Sequence, residues 1–329
     1  MIDIAHQLLK RGHHPVIYSL PFNSRSINLD KVLQGVEYHE NFVHRIQDVD
    51  VAYFIYAPLV HNLFIGRFPR IGAIHAFVFL NELQHDEIKA MNHGNFIQEF
   101  GLLRFVSSKF FKKFQRSALN GFDAVHVINQ KALGVLNYGR RTYYISNWID
   151  TSEFKPVREK NTKFSVLFTG RREKGFSMFT RIANLLEGMD MKFYAIGPDL
   201  HSTRNVKNLG FITDVQALIN LYSKVHVLVY TSKIDVFPLA LLEAAACKIP
   251  IIAFPTSAIQ GLNLPILYAT SIQDFAQNIR ELGEMWLRRT EEYANLSKQV
   301  REATRKYDVV HVFPKFLSML KEVASLSPR

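Results

Sequence analysis

Two carboxylates, Asp235 and Glu243, stand with seven residues between them, and a cluster of cations, Arg171, Arg172 and Lys174, lies between Gly170 and Gly175. Cations fixed at a strand end neutralise phosphate and stabilise the charge that develops on a diphosphate as it leaves. Carboxylates beside such a site are useful when they accept hydrogen bonds from sugar hydroxyls rather than touch the phosphate. The two sets together point to an anionic ligand that carries a sugar. Plainer readings compete with this one. Asp is a favoured helix cap, Glu243 could be a solvated helix residue, and a short basic run is often a solvated turn.

The pattern predicts the elements that hold these residues. Residues 225–230 form an apolar run of strand length, rich in β-branched residues. Such continuous runs belong to parallel strands covered on both faces. A loop over 231–237 leads to Pro238 at a helix start, where its fixed φ fits and its missing N–H is no loss. The helix runs from 239 to about 248, and 251–254 is a second buried strand. Ligands bind where the loops of such a unit leave the carboxyl ends of the strands. The N–H groups of Leu239 and Ala240 should favour an anion there. Strands at 164–170 and 192–197 precede this unit, so the second half reads as a doubly wound parallel sheet. The first half reads as α/β as well, with a helix at 1–9 and strands at 16–18, 49–56, 71–79 and 122–129.

A chain of 329 residues, 48% hydrophobic and 21% charged, has room for two domains with sizeable cores. The 26 phenylalanines make those cores aromatic-rich. A single cysteine, Cys247, rules out an internal disulfide framework and fits a reducing, cytoplasmic compartment. The longest apolar stretch, 51–66, contains Pro58 and His61 and is too short to span a bilayer. No His or Cys cluster has metal-ligand spacing. A formal charge of +11 calls for an anionic partner, but no nucleic-acid motif accompanies it. Within 102–119, Lys109, Lys112, Lys113 and Arg116 share one helix face beside Val106, Phe110 and Phe114. That pattern reads as a contact with an anionic membrane surface, or as a core helix with a solvated basic side.

Asp235-Val236-Phe237-Pro238-Leu239, followed by Leu242-Glu243-Ala244 and Ala246-Cys247, resembles the acid-x7-Glu signature of the retaining glycosyltransferases of family 4, which have the GT-B fold. The chain departs from that signature in Asp235 for a Glu and in Val236, Pro238 and Lys248 for glycines. The run 170–175 resembles the family's GRxxxxKG loop, two residues shorter, so either Arg171 or Arg172 takes the Arg role. Residues 8–16 resemble a segment that a first strand and a glycine-rich loop precede in the family. Neither lies ahead of it here, so a shortened or displaced start is expected. Residues 122–129 and 147–156 resemble the strand that closes the first domain and the linker between domains, with Trp148 in place of a glycine.

The resemblance implies two Rossmann-like α/β domains facing a cleft. Residues 1–150 would form the acceptor side and 151–305 the nucleotide-sugar side, with 306–329 as a helix crossing back to the first domain. It implies transfer of a sugar, with retention at the anomeric carbon, from a nucleotide-diphosphate-sugar to a glycan or lipid-linked acceptor, with no cofactor or metal. Arg171 or Arg172 and Lys174 would stabilise the diphosphate beside Gly170. Glu243 would hold the ribose, and Asp235 the donor sugar. Phe211 and Ile212 would lie against the base, and Phe237, Pro238 and Leu239 would line the helix start. His75 matches an active-site histidine in position, with a buried structural His as the alternative. An epimerase or phosphorylase of the same fold, or a non-catalytic sugar-nucleotide-binding protein, stays open.

Overall fold

A computed structural model describes residues 2–19, 33–55, 61–74, 119–130, 141–233 and 235–326. In the first half, helix α1 (Ile2–Leu9) is followed by strands β1 (Val16–Ser19), β2 (Glu37–Glu40), β3 (His44–Arg45), β4 (Ala52–Ile55), β5 (Phe64–Ile65), β6 (Arg70–Ile74), β7 (Ala124–Val127) and β8 (Arg141–Tyr144). The order β4-β6-β7-β8 makes a four-stranded parallel sheet, with Ala52 opposite Arg70 and Ala124 opposite Arg141. Strands β1 and β2 pair with each other in a separate sheet, and so do β3 and β5.

The second half runs β9 (Phe164–Thr169), α2 (Phe176–Leu185), β10 (Met191–Ile196), β11 (Val206–Asn208), α3 (Val215–Lys224), β12 (Val227–Tyr230), α4 (Leu239–Ala246), β13 (Ile251–Ala253), α5 (Ser257–Gln260), β14 (Ile266–Tyr268), α6 (Ile272–Arg288), α7 (Thr290–Glu302) and α8 (Val309–Ala324). Its six strands are all parallel, in the order β11-β10-β9-β12-β13-β14. The two-residue period of a strand explains why the runs are apolar throughout. Val227, Val229 and Ile252 enter one core with α2 and α6, while Leu228, Ile251 and Ala253 enter the other with α3 and α4.

The halves are joined at a narrow crossing. Ile149 and Asp308 form a bridge, and the Asp308 carboxylate accepts from Val310 N, capping α8, as well as from Thr151. From that crossing α8 lies on the first-half sheet, where Val312, Phe313 and Phe316 pack with Ile71, Ala124 and Ile145. The Arg301 guanidinium donates to the carbonyls of Thr151, Phe154 and Ala246, tying the crossing to the end of α4. A cation suits that place because the carboxyl end of a helix is the negative end of its dipole.

Two of the buried histidines, His126 and His226, sit one in each half. His126 donates from Nε2 to Ile145 O at 2.8 Å and accepts the Tyr53 hydroxyl proton at Nδ1, 2.6 Å away. His226 accepts from Ser165 N at Nδ1 and is enclosed by Phe164 and Trp286. Burial pushes His126 down to about 4. Burial, then the charge of Lys160, pushes His226 down to about 3. Both are neutral when folded and regain a pKa near 6.5 when unfolded. Their contribution to stability is present above that value and is lost as pH falls towards the folded values. Between pH 6 and 5 unfolding should therefore take up somewhat fewer than two protons, a loss of about 2.4 kcal/mol over that pH unit. Urea unfolding at pH 7, 6 and 5 measures this, with His126→Phe halving the slope. A flat stability across that range would contradict it.

Candidate functional site

The prospective site is the carboxyl edge of the six-stranded sheet between β9 and β12. At the end of β9, Gly170 has φ +146° and donates to Ile196 O. Residues Arg172–Lys174 form a single 3-10 turn, closed by Gly175 with φ +95°. A side chain at 175 would collide with Thr231, whose Oγ1 would lie 2.6 Å from the added carbon. The Thr231 hydroxyl donates to Gly175 O at 2.9 Å, so the turn after β9 is fastened to the residue that follows β12. That fastening sets Lys174 opposite Asp235.

Lys174 Nζ lies 2.6 Å from Asp235 Oδ2, with the two side chains 31% and 17% exposed. The same oxygen accepts from the Tyr230 hydroxyl, and Oδ1 accepts from Val236 N at 3.1 Å. Asp235 is therefore not the cap of α4. Pro238 holds the cap position, with ψ 99° and no side-chain hydrogen bond, and the first helical residue is Leu239. The proline sits one position earlier than the sequence suggests because the chain is still extended at its ψ. The helix also ends earlier, at Ala246. Lys248 takes φ +60°, with Lys248 N bonded to Ala245 O and Ile249 N to Ala244 O. That is a Schellman closure at a place where glycine is the usual residue.

Glu243, in the second turn of α4, accepts from the Tyr222 hydroxyl at 3.0 Å through Oε2. Burial pushes its carboxyl up, and the tyrosine bond offsets part of that rise. Tyr222 and Tyr230 are buried, and their own pKa values are raised far above the usual phenol range by desolvation. Both hydroxyls are therefore constant donors. The sequence reading missed these tyrosines. The only signal was a Tyr closing an apolar strand run, which as easily marks packing.

The other anticipated residues divide by exposure. Arg171 is exposed and pairs loosely with Glu173 at 3.6 Å, and Arg172 is exposed. Phe211, after the turn at Gly210 with φ +82°, is 64% exposed and presents its ring to solvent. Ile212 leans on the core. Phe237 is buried against Tyr307, so its side chain supports the loop from within. Leu239 is exposed at the helix start. Across the crossing, Asn129 Nδ2, beyond β7, donates to Val236 O at 3.1 Å, which brings the first half to the loop that carries Asp235. His75 and the basic residues Lys109, Lys112, Lys113 and Arg116 lie outside the described residues. Among the described residues no group of three His, Cys, Asp or Glu is placed to hold a metal ion.

Because burial raises the Glu243 carboxyl, its ionised form disfavours the folded state. The stability it permits is complete below the unfolded value near 4.3 and is lost as pH rises through the folded one. Glu243→Gln should therefore raise the melting temperature of the ligand-free protein at pH 7.5. Thermal unfolding by circular dichroism measures it, and a lower melting temperature would show that the Tyr222 bond outweighs the desolvation.

Residues 163–284 match the sequence model of the family described as Glycosyl transferases group 1. No curated protein matches the chain. Among solved structures, a glycosyltransferase from Rickettsia africae ESF-5 is similar at 15% identity and TM-score 0.70, over 99% of this chain and 94% of that one. Anabaena Alr3699/HepE, solved with UDP and glucose, is similar at 17% identity and TM-score 0.70, over 99% and 95%. The sucrose-phosphate synthase of Thermosynechococcus elongatus is similar at 16% identity and TM-score 0.61, over 98% and 77%. The chain has the GT-B fold of these glycosyltransferases.

Proposed function

We propose that this protein is a retaining glycosyltransferase of the family 4 type that takes its sugar from a nucleotide-diphosphate-sugar. The observation that carries the proposal is the meeting of Lys174 and Asp235 at the sheet edge, beside a helix start with no side-chain cap and with Glu243 one turn further on. The free N–H groups of Leu239 and Ala240 receive a phosphate, and Lys174 with Arg171 or Arg172 neutralises the diphosphate. Glu243 accepts from the ribose, Asp235 from the donor sugar, and Phe211 stacks on the base. In the reaction the bond from the anomeric carbon to the diphosphate oxygen breaks, and the acceptor oxygen bonds to that carbon on the same face. The acceptor proton passes to the leaving phosphate. No metal is needed for these steps, since the cations and helix start supply the positive charge. The solved Anabaena structures with UDP and with UDP-glucose support this donor class.

The proposal divides the chain into an acceptor-side domain at 1–150, a donor-side domain at 151–305 and a returning segment at 306–329. It also makes the protein cytoplasmic, with a glycan or lipid-linked acceptor. Lys174→Ala should weaken nucleoside diphosphate binding by roughly 10- to 100-fold, since a charge-assisted bond is worth about 1.5–3 kcal/mol, and leave the free nucleoside almost unchanged. Calorimetry with UDP and uridine, and with the ADP and GDP pairs, tests this. Equal weakening of both partners in a pair would remove Lys174 from the phosphate site. Label transfer from donor to a separate acceptor, without donor isomerisation or a need for inorganic phosphate, separates transfer from the related activities.

Among the described residues no helix is long and apolar enough to cross a membrane. We propose that Lys109, Lys112, Lys113 and Arg116 meet an anionic bilayer surface, each adding about 1 kcal/mol when close to it. Co-sedimentation with anionic and neutral vesicles should show the loss of anionic binding when all four become Ser. Equal sedimentation of the two proteins would make that face an ordinary solvated one.

A further inference from the structure

The cation that the phosphates require is already engaged: Lys174 Nζ sits 2.6 Å from Asp235 Oδ2. Donor binding at this edge must either draw Lys174 away from Asp235 or place the diphosphate against a carboxylate. Two negative groups sharing one lysine repel each other at close range, so withdrawal is the better arrangement. A withdrawn lysine would take its positive charge away from a partly buried carboxylate, and that is costly. Tyr230 answers the need. It is the last residue of β12, it is 4% exposed, and its hydroxyl donates to the oxygen that Lys174 holds.

Resting on the nucleotide-sugar reading, we infer that Tyr230 is the positioning residue of Asp235 and that Lys174 trades Asp235 for the donor diphosphate. The tyrosine is fixed by a buried strand, whereas Lys174 stands on a short turn at the sheet edge. The rigid partner keeps the carboxylate in place, and Val236 N holds its other oxygen. The flexible partner moves. Glu243 has a parallel arrangement, with Tyr222 donating to Oε2 from α3. Each acid of the pair thus has a buried phenol as its own support, and Asp235 alone shares its support with a cation. Asp235 is one methylene shorter than Glu, so a fixed donor beneath it also sets how far it reaches from the strand edge.

The exchange makes a prediction against intuition: removing the negative charge of Asp235 should improve phosphate binding. Calorimetric titration of the full chain with UDP, ADP, GDP and inorganic pyrophosphate tests it. Asp235→Asn should tighten the diphosphate that binds by about three- to tenfold, the size expected for coupling between groups in contact. Tyr230→Phe keeps the ring and removes the phenol donor from the oxygen that Lys174 holds, so Asp235 should grip the lysine harder and the same ligand should bind about threefold more weakly. In the Asp235→Asn background, Tyr230→Phe should then have no effect. A purely structural tyrosine would weaken binding equally in both backgrounds, and that result overturns the positioning role. Unchanged or weaker binding by Asp235→Asn overturns the exchange, and it does so whether or not the tyrosine variant folds. Wild-type protein that binds none of the four ligands overturns the nucleotide-sugar reading itself, and the exchange with it.

Discussion

The packing of α4 governs everything else at the sheet edge. Leu241, Leu242, Ala244, Ala245 and Ala246 are fully buried, so the helix is apolar around most of its surface and has one way to lie. Truncating either leucine would cost about 2–5 kcal/mol. Its carboxyl end is closed by the Schellman turn and by Arg301, while among the described residues no side chain caps its amino end. A helix held this firmly can tolerate an uncapped start. The first N–H groups of such a helix are what an anion would use.

Around that fixed start the chain gathers charge in opposed pairs. The turn after β9 is tied to the residue after β12 through Thr231 and Gly175, and this tie, not sequence proximity, brings Lys174 to Asp235. The acids themselves rest on phenols from within the fold. Burying a carboxylate is unfavourable unless hydrogen bonds favour its charged form. Glu243 shows both effects at once, its carboxyl raised by burial and partly lowered by Tyr222. Holding a carboxylate in such surroundings gives up stability.

The crossing at Ile149 and Asp308 has a different purpose. It fixes where the first half begins relative to the second, through a backbone bridge, the Thr151 bonds to Asp308 and the Arg301 contacts. Because Arg301 touches both the crossing and the end of α4, that helix and the link between halves share one cation. The Asn129 bond to Val236 O adds a second contact between the halves, on the loop that carries Asp235.

Sequence alone determined the parallel sheet of the second half, because strands buried on both faces must be apolar at every position. It also put Asp235 and the cations in the loops at the carboxyl ends of those strands, which is where the structure has them. The acids and cations were visible as types in a pattern. Their partners were not. That Asp235 answers Lys174 and Tyr230 rather than capping the helix depends on an ion pair spanning sixty-one positions of chain. That Tyr222 supports Glu243 depends on α3 and α4 sharing one core. The pattern of a strand says which face is buried, but not which hydroxyl meets which carboxylate. The division of the first-half strands into separate sheets was likewise undecided in the sequence. Pairing between strands is a long-range choice, and only the folded chain makes it.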